Sequence, residues 1–137
     1  MVIDIRGVLE NGQPRAVDMP ASTSCYVAIT SGESATVRLY ATTPDGIPLD
    51  AEGWRLSMTI RKAVSDTFAK AIIIGTAETA QGNGRWTFDI PTDVTIKLTA
   101  GNYLFDIWAE GGGQRLPAVL ISTLFVVPAV GRAGENV

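Results

Sequence analysis

Residues 54–61 read WRLSMTIR and alternate between apolar and polar side chains without a break. The residues of one parity are all apolar: Trp54, Leu56, Met58 and Ile60. Successive side chains of a β-strand point to opposite faces of a sheet. The alternation therefore predicts a strand with one buried face and one solvated face.

The same period of two recurs elsewhere, in residues 36–41, 85–90 and 103–109, and a long apolar run predicts a final strand at 115–127. Turn-forming residues separate these runs, at positions 43–46, 81–84 and 111–113. Residues 92–98 could hold one helical turn, but this segment is interpreted as a loop that leads into the corner at residues 100–103. About seven or eight short antiparallel strands at this spacing predict an all-β chain, an immunoglobulin-like β-sandwich.

The strand predicted at residues 103–109 has an unusual outward face. Its inward parity is apolar, as a core strand requires, but its outward parity includes Leu104 and Trp108. Polar side chains are expected on a solvated face. We therefore expect this face to be covered, and Leu104 and Trp108 are candidate assembly contacts.

The 137 residues fit one domain with two distinct ends. Residues 1–24 are predicted to form an N-terminal arm or a hairpin that turns at Asn11-Gly12, residues 25–128 the sandwich, and residues 129–137 a flexible C-terminal tail. The arm either adds a strand to a neighbouring subunit or closes the protein's own sheet. Its apolar residues are further candidate assembly contacts: Val2, Ile3, Ile5, Val8 and Leu9.

Composition excludes several kinds of chemistry. The chain has no histidine, which removes Ser-His-Asp and Cys-His catalysis and His-containing metal sites. Cys25 is the single cysteine, so it has no partner for an internal disulfide, and its place at the start of an apolar run predicts a buried apolar role. We expect no enzymatic activity and no cofactor.

Charge and hydropathy bear on the partners of the protein. The net charge is −3 and the 11 Lys and Arg residues are scattered, which argues against nucleic acid and anionic membranes as partners. The N-terminus lacks a signal-peptide pattern, and the longest apolar stretch is shorter than a transmembrane helix. We expect a soluble protein that is not exported through a cleaved signal.

Each of three loops has a possible ligand-binding role and a purely structural one. Asp45, Asp50 and Glu52 could bind Ca²⁺, but their spacing does not match an EF-hand loop, and a solvated acidic loop is favoured. The glycines at 82–84 and 111–113 could suggest phosphate cradles. Neither group is followed by a helix signal or the Lys-Ser/Thr of a P-loop, so both are interpreted as hairpin turns.

Residues 84–90 (GRWTFDI) and 98–108 (LTAGNYLFDIW) carry a resemblance. A glycine precedes an alternating strand, a short link follows, and Ala-Gly-Asn-Tyr opens the next strand. With the upstream turn at 44–46, this layout resembles the immunoglobulin-like N-terminal domain of phage baseplate upper proteins and similar small phage virion proteins. The resemblance covers about residues 25–128.

The resemblance implies a non-enzymatic structural module on a symmetric phage particle. Its partners would be other virion proteins and copies of itself, as a homo-oligomer, and its location would be the virion, after assembly in the host cytoplasm. Larger members of the family continue into a receptor-binding or fibre-carrying region, whereas this sequence stops at Val137. A tail, baseplate, collar or fibre-attachment component and a capsid decoration or head-fibre protein both remain open.

Two other classes of function compete with the structural role. A carbohydrate- or receptor-binding module would need an exposed aromatic such as Trp108 beside polar groups. An enzyme would have to work with carboxylates alone, and nothing in their spacing places two acids across a cleft.

Overall fold

The computed structural model describes residues 2–9, 26–63, 65–66, 68–78 and 83–128. These residues form nine strands and one short helix: β1 (Val2–Val8), β2 (Tyr26–Thr30), β3 (Ala35–Thr42), β4 (Arg55–Arg61), β5 (Ala71–Ile74), β6 (Thr76–Ala77), β7 (Arg85–Ile90), α1 (Thr92–Thr95), β8 (Gly101–Gly111) and β9 (Gln114–Val127). The segment after β7 contains the short helix α1, where a loop was the favoured interpretation. The hairpin after β8 turns through Gly112 and Gly113, both at positive φ.

The strands form two sheets that pack face to face. The four-stranded sheet has the order β1-β3-β7-β6, and the five-stranded sheet has the order β2-β9-β8-β4-β5. The predicted all-β sandwich is confirmed. Its finer assignment as immunoglobulin-like stays a prediction.

The expectation of antiparallel strands is corrected at two pairs. β1 runs parallel to β3, and β2 runs parallel to β9, so both sheets are mixed. A parallel partner must be reached by a connection that returns to the same end of the sheet. For β1 and β3, that return is made by β2 in the opposite sheet. Alternation determines which face of a strand is buried, and it leaves the direction of the neighbouring strand undetermined.

The inner faces of the two sheets form one hydrophobic core. Inward residues follow the predicted parities on β3, β4, β7 and β8, including Leu39, Met58, Phe88 and Ile107. Trp54 departs from this pattern, because β4 begins at Arg55 and Trp54 lies half-buried just before it.

β1 belongs to this sandwich, where it pairs with β3 of the same chain. Ile3 and Ile5 pack against the core, and Leu9 is buried within it. At Gly7 the strand passes so close to β9 that an added Cβ would lie 2.5 Å from the backbone oxygen of Ala118. The predicted hairpin at Asn11-Gly12, Cys25 and the tail at 129–137 lie outside the described residues.

One stretch of chain crosses from one sheet to the other. β5 ends at Ile74 in the five-stranded sheet and β6 begins at Thr76 in the four-stranded sheet, with Gly75 between them. The Gly75 amide donates to the Leu56 carbonyl oxygen (2.8 Å), and an added Cβ would lie 2.7 Å from the Phe88 ring. Glycine is required there because the backbone passes directly against a core aromatic ring.

Candidate functional site

The outer face of the five-stranded sheet carries most of the exposed apolar surface of the described residues. Five of the nine large apolar residues that are exposed there lie on this one face: Tyr26, Ile72, Ile74, Ile121 and Val127. Half-buried Leu104, Trp108 and Phe125 lie between them on β8 and β9. We call these eight residues the apolar face.

Strand register explains why these side chains are together. Thr59 on β4 is paired with Ile72 on one side and Asp106 on the other, and Arg61 is paired with Leu104. The same parity is therefore outward on every strand of the sheet. Thr59, Arg61 and Asp106 share this outward parity, so polar side chains lie among the apolar ones. Clusters of exposed apolar residues on one face often mark interaction sites.

The two edges of the apolar face differ in their side chains. At the β2 edge, the rings of Tyr26 and Phe125 stack with centroids 6.4 Å apart. At the other edge, Ile72 and Ile74 are each about three-fifths exposed on β5, which has a partner on one side only among the strands that the structure describes. Between the edges, Thr59, Leu104 and Ile121 line a shallow depression of about 100 Å³.

Trp108 lies at the charged end of the apolar face and its ring is partly covered. The Arg115 guanidinium carbon is 4.3 Å from the ring centroid, and the indole Nε1 donates to Asp106 Oδ2 at 3.0 Å. Arg115 also forms an ion pair with Glu110 (Nε to Oε1, 3.5 Å). An arginine stacked on the ring occupies a face that a sugar would need.

Of the residues predicted to make assembly contacts, the structure brings two together. Leu104 and Trp108 lie on the apolar face, as their parity suggested. The five from the N-terminal segment lie on the other sheet: Val2 exposed, Ile3, Ile5 and Val8 half-buried, and Leu9 buried. A role for those five in contacts with another subunit stays a prediction.

The outer face of the four-stranded sheet has a different chemistry. Its exposed and half-buried positions include Asp4, Arg6, Arg38, Tyr40 and Arg85, which we call the arginine face. Arg38 binds Asp4 through two hydrogen bonds, Nε to Oδ1 at 2.8 Å and Nη2 to Oδ2 at 3.3 Å. These hydrogen bonds hold the pKa of the Asp4 carboxyl below its ordinary value and raise the pKa of Arg38.

The acidic loop has no metal-binding geometry in the described part of the chain. Asp50 Oδ1 accepts a hydrogen bond from the Gly53 amide at 3.2 Å, which closes a local turn. No group of three or more Cys, Asp or Glu residues among the described residues is arranged to hold a metal ion. In the same ranges, no helix has the length and apolar character needed to cross a membrane.

No protein-family model matches the sequence, and comparison with curated proteins gives no match. Among solved structures, the N-terminal domain of ORF48 of phage TP901-1 is similar, with 12% identity, a TM-score of 0.46, and coverage of 95% of this chain and 100% of that one. Reduced rusticyanin shares 11% identity at a TM-score of 0.41, covering 92% of this chain and 79% of that chain. A cysteine protease inhibitor from Entamoeba histolytica shares 8% identity at a TM-score of 0.39, covering 92% of this chain and 97% of that chain. None of these three TM-scores reaches 0.5, so no residue role is transferred.

Proposed function

We propose that this chain is a non-enzymatic structural module of a phage particle, and that it docks onto other virion proteins or copies of itself through the apolar face. The observation that carries the proposal is the concentration of exposed Tyr26, Ile72, Ile74 and Ile121 on one side of one sheet. Contiguous apolar surface rimmed by polar residues is typical of protein–protein contacts.

Two further points support an assembly role over a carbohydrate-binding one. The layout of residues 84–108 resembles small phage virion proteins, which are structural. The Trp108 ring is stacked under Arg115, so it offers less open aromatic surface than a sugar-binding platform needs.

The test uses a charge placed in the middle of the apolar face. In a phage that lacks its own copy of the gene, the chain is supplied from a plasmid as wild type, Leu104→Glu or Ile96→Glu, and gradient-purified particles are analysed by mass spectrometry. Leu104 is paired with Arg61 across the sheet, so the new carboxylate has a cation beside it in the folded monomer. Ile96 is also exposed and apolar, but it lies in the connection between β7 and β8 and serves as the matched control.

We expect the wild type and Ile96→Glu in the particles, and Leu104→Glu at an amount at least about tenfold lower, since removing a charged group from water into an apolar contact is costly. Absence of the wild type from particles would refute the virion role. Equal incorporation of Leu104→Glu would refute docking through the apolar face. Antibody-gold labelling then separates the alternatives: label on the capsid indicates decoration, and label at the tail or neck indicates a baseplate, collar or fibre-attachment component.

A further inference from the structure

A row of three side chains crosses the outer face of the four-stranded sheet. Arg6 on β1 is paired with Tyr40 on β3, and Tyr40 is paired with Arg85 on β7. Because neighbouring strands lie about 4.8 Å apart, the two arginine backbones are about 10 Å apart with the phenol between them. The Arg6 guanidinium carbon is 5.6 Å from the centroid of the Tyr40 ring, which helps to orient that arginine over the face.

The hydrogen-bonding capacity of this row is not used within the described part of the chain. Arg38, in the neighbouring row, is engaged by Asp4. Arg6 and Arg85 form no ion pair with any residue that the structure describes, and the Tyr40 hydroxyl forms no hydrogen bond with one. Two guanidinium groups and one hydroxyl are therefore available on the same side of the sheet.

These groups line an open groove of about 490 Å³, together with Asp4, Arg38 and Glu78. This volume falls within the range of roughly 300–1,000 Å³ that is usual for ligand sites. Glu78 follows β6 at the edge of the sheet, where its amide donates to the Arg85 carbonyl oxygen at 2.9 Å. The positive charge of Arg85 helps to lower the pKa of Asp4, and the negative charge of Glu78 helps to raise that of Arg38. The four charges therefore act on one another across the groove.

We propose that this groove binds one carboxylate side chain of an extended protein segment, between Arg6 and Arg85 and within reach of the Tyr40 hydroxyl. Guanidinium groups bind carboxylates through short, paired, charge-assisted hydrogen bonds. The three arginines outnumber the two carboxylates of the groove, so the site attracts a single negative charge.

The same charges define what flanks that carboxylate. Asp4 lies in the neighbouring row on β1, and Glu78 lies at the β6 end of the row beside Arg85. Both carboxylates repel further negative charge, so the neighbouring residues of the segment are neutral. A polyanion such as nucleic acid is disfavoured for this reason and by the net charge of −3. The inference does not depend on the apolar face, which lies on the other sheet.

The probe is the peptide N-acetyl-Gly-Thr-Glu-Thr-Gly-amide, titrated into the full ¹⁵N-labelled chain at low salt. Binding is followed through the amide signals of β1, β3 and β7 and the Nε–H signals of the arginines. We expect a Kd in the low millimolar range. Binding weakens severalfold on going from about 10 mM to 150 mM salt, because the charges are exposed and screened. The matched peptide with glutamine in place of glutamate should leave the signals unchanged.

Three variants test whether the affinity for the glutamate peptide changes in the expected direction. Arg85→Gln should weaken binding about fivefold or more, because it removes a charge-assisted contact. Glu78→Gln should strengthen it about two- to fivefold, because it removes a repelling carboxylate. Lys97→Gln removes an exposed cation in the turn after α1 and should have no effect.

The proposal is overturned if the glutamine peptide binds equally well, if Arg85→Gln leaves the affinity unchanged, or if the shifted signals map to the five-stranded sheet. A phosphoserine peptide that bound where the glutamate peptide did not would overturn the assignment to a carboxylate. Failure of the particle-incorporation experiment would leave all of these outcomes intact.

Discussion

The two sheets have inner faces of the same kind and outer faces of opposite kinds. Both inner faces are aliphatic and aromatic, with Leu39 and Phe88 on one sheet facing Met58 and Phe105 on the other. The outer face of the five-stranded sheet is rich in exposed isoleucine and aromatic residues, whereas that of the four-stranded sheet carries three arginines, a tyrosine and carboxylates. The inward parity therefore determines the fold, while the outward parity can vary with what each face contacts.

The largest expected effect is a difference in stability loss between inward and outward residues of β8. Phe105→Ala should lower the free energy of unfolding by about 3–5 kcal/mol, because the ring is buried and leaves a cavity. At the neighbouring position, Leu104→Ala should lower the free energy of unfolding by no more than roughly 1 kcal/mol, since the side chain lies on the outer face. Urea denaturation of dilute protein measures both. Equal losses would mean that the apolar face is part of the folded core and not a docking surface.

A smaller effect is expected where β1 meets β9. Gly7→Ala should lower the free energy of unfolding by about 1–3 kcal/mol. The added Cβ would lie 2.5 Å from the Ala118 carbonyl oxygen, so β1 must shift. Faster amide exchange in β1 and weaker binding of the glutamate peptide should accompany the loss. Binding of a hydrophobic dye to the apolar face should be preserved. If dye binding changed and peptide binding did not, the division of roles between the two faces would be wrong.

A substitution at the edge of the apolar face should change surface properties with little change in stability. Ile72→Thr combined with Ile74→Thr should alter the free energy of unfolding by no more than roughly 0.5 kcal/mol per site, because both side chains are exposed on an edge strand. Fluorescence of the dye ANS, which reports exposed apolar surface, should fall by about half. Ile96→Thr is the control and should leave the dye signal near the wild-type value.

The smallest effect concerns pH and the arginine face. The hydrogen bonds from Arg38 lower the pKa of Asp4 below its ordinary value of 3.8. The stabilisation is therefore complete above the pKa of the unfolded state and is lost as the pH falls through the lower pKa of the folded state. Wild type and Asp4→Asn should differ slightly near neutral pH, and the difference should shrink as the pH falls below the ordinary value of 3.8. A difference that did not shrink in acid, or one unaffected by salt, would contradict this account.

Much of the fold follows from the sequence because alternation is a local property. The alternation in residues 55–61 and 85–90 identifies the buried face of each strand, and the structure buries those same parities. The alternation also identifies Leu104 and Trp108, because they are apolar residues on the outward parity.

Other features of the fold cannot be predicted from an alternation of apolar and polar residues. Residues 71–74 read AIII and have no alternation, so nothing in the sequence marks Ile72 and Ile74 as outward. Their exposure follows from an edge position and from pairing with Ser57 and Thr59, which only the folded sheet supplies. The row Arg6-Tyr40-Arg85 joins residues from three distant strands, and the parallel pairing of β1 with β3 determines its alignment.

The crossing at Gly75 has a mechanical consequence. Because residues 71–77 belong first to one sheet and then to the other, the two outer faces are joined by continuous covalent backbone as well as by the packed core. If one partner were held at the isoleucine edge of β5 and another near Glu78, tension between them would run along seven residues of extended chain. The sandwich could then transmit a pull from one side of the domain to the other without first separating its sheets.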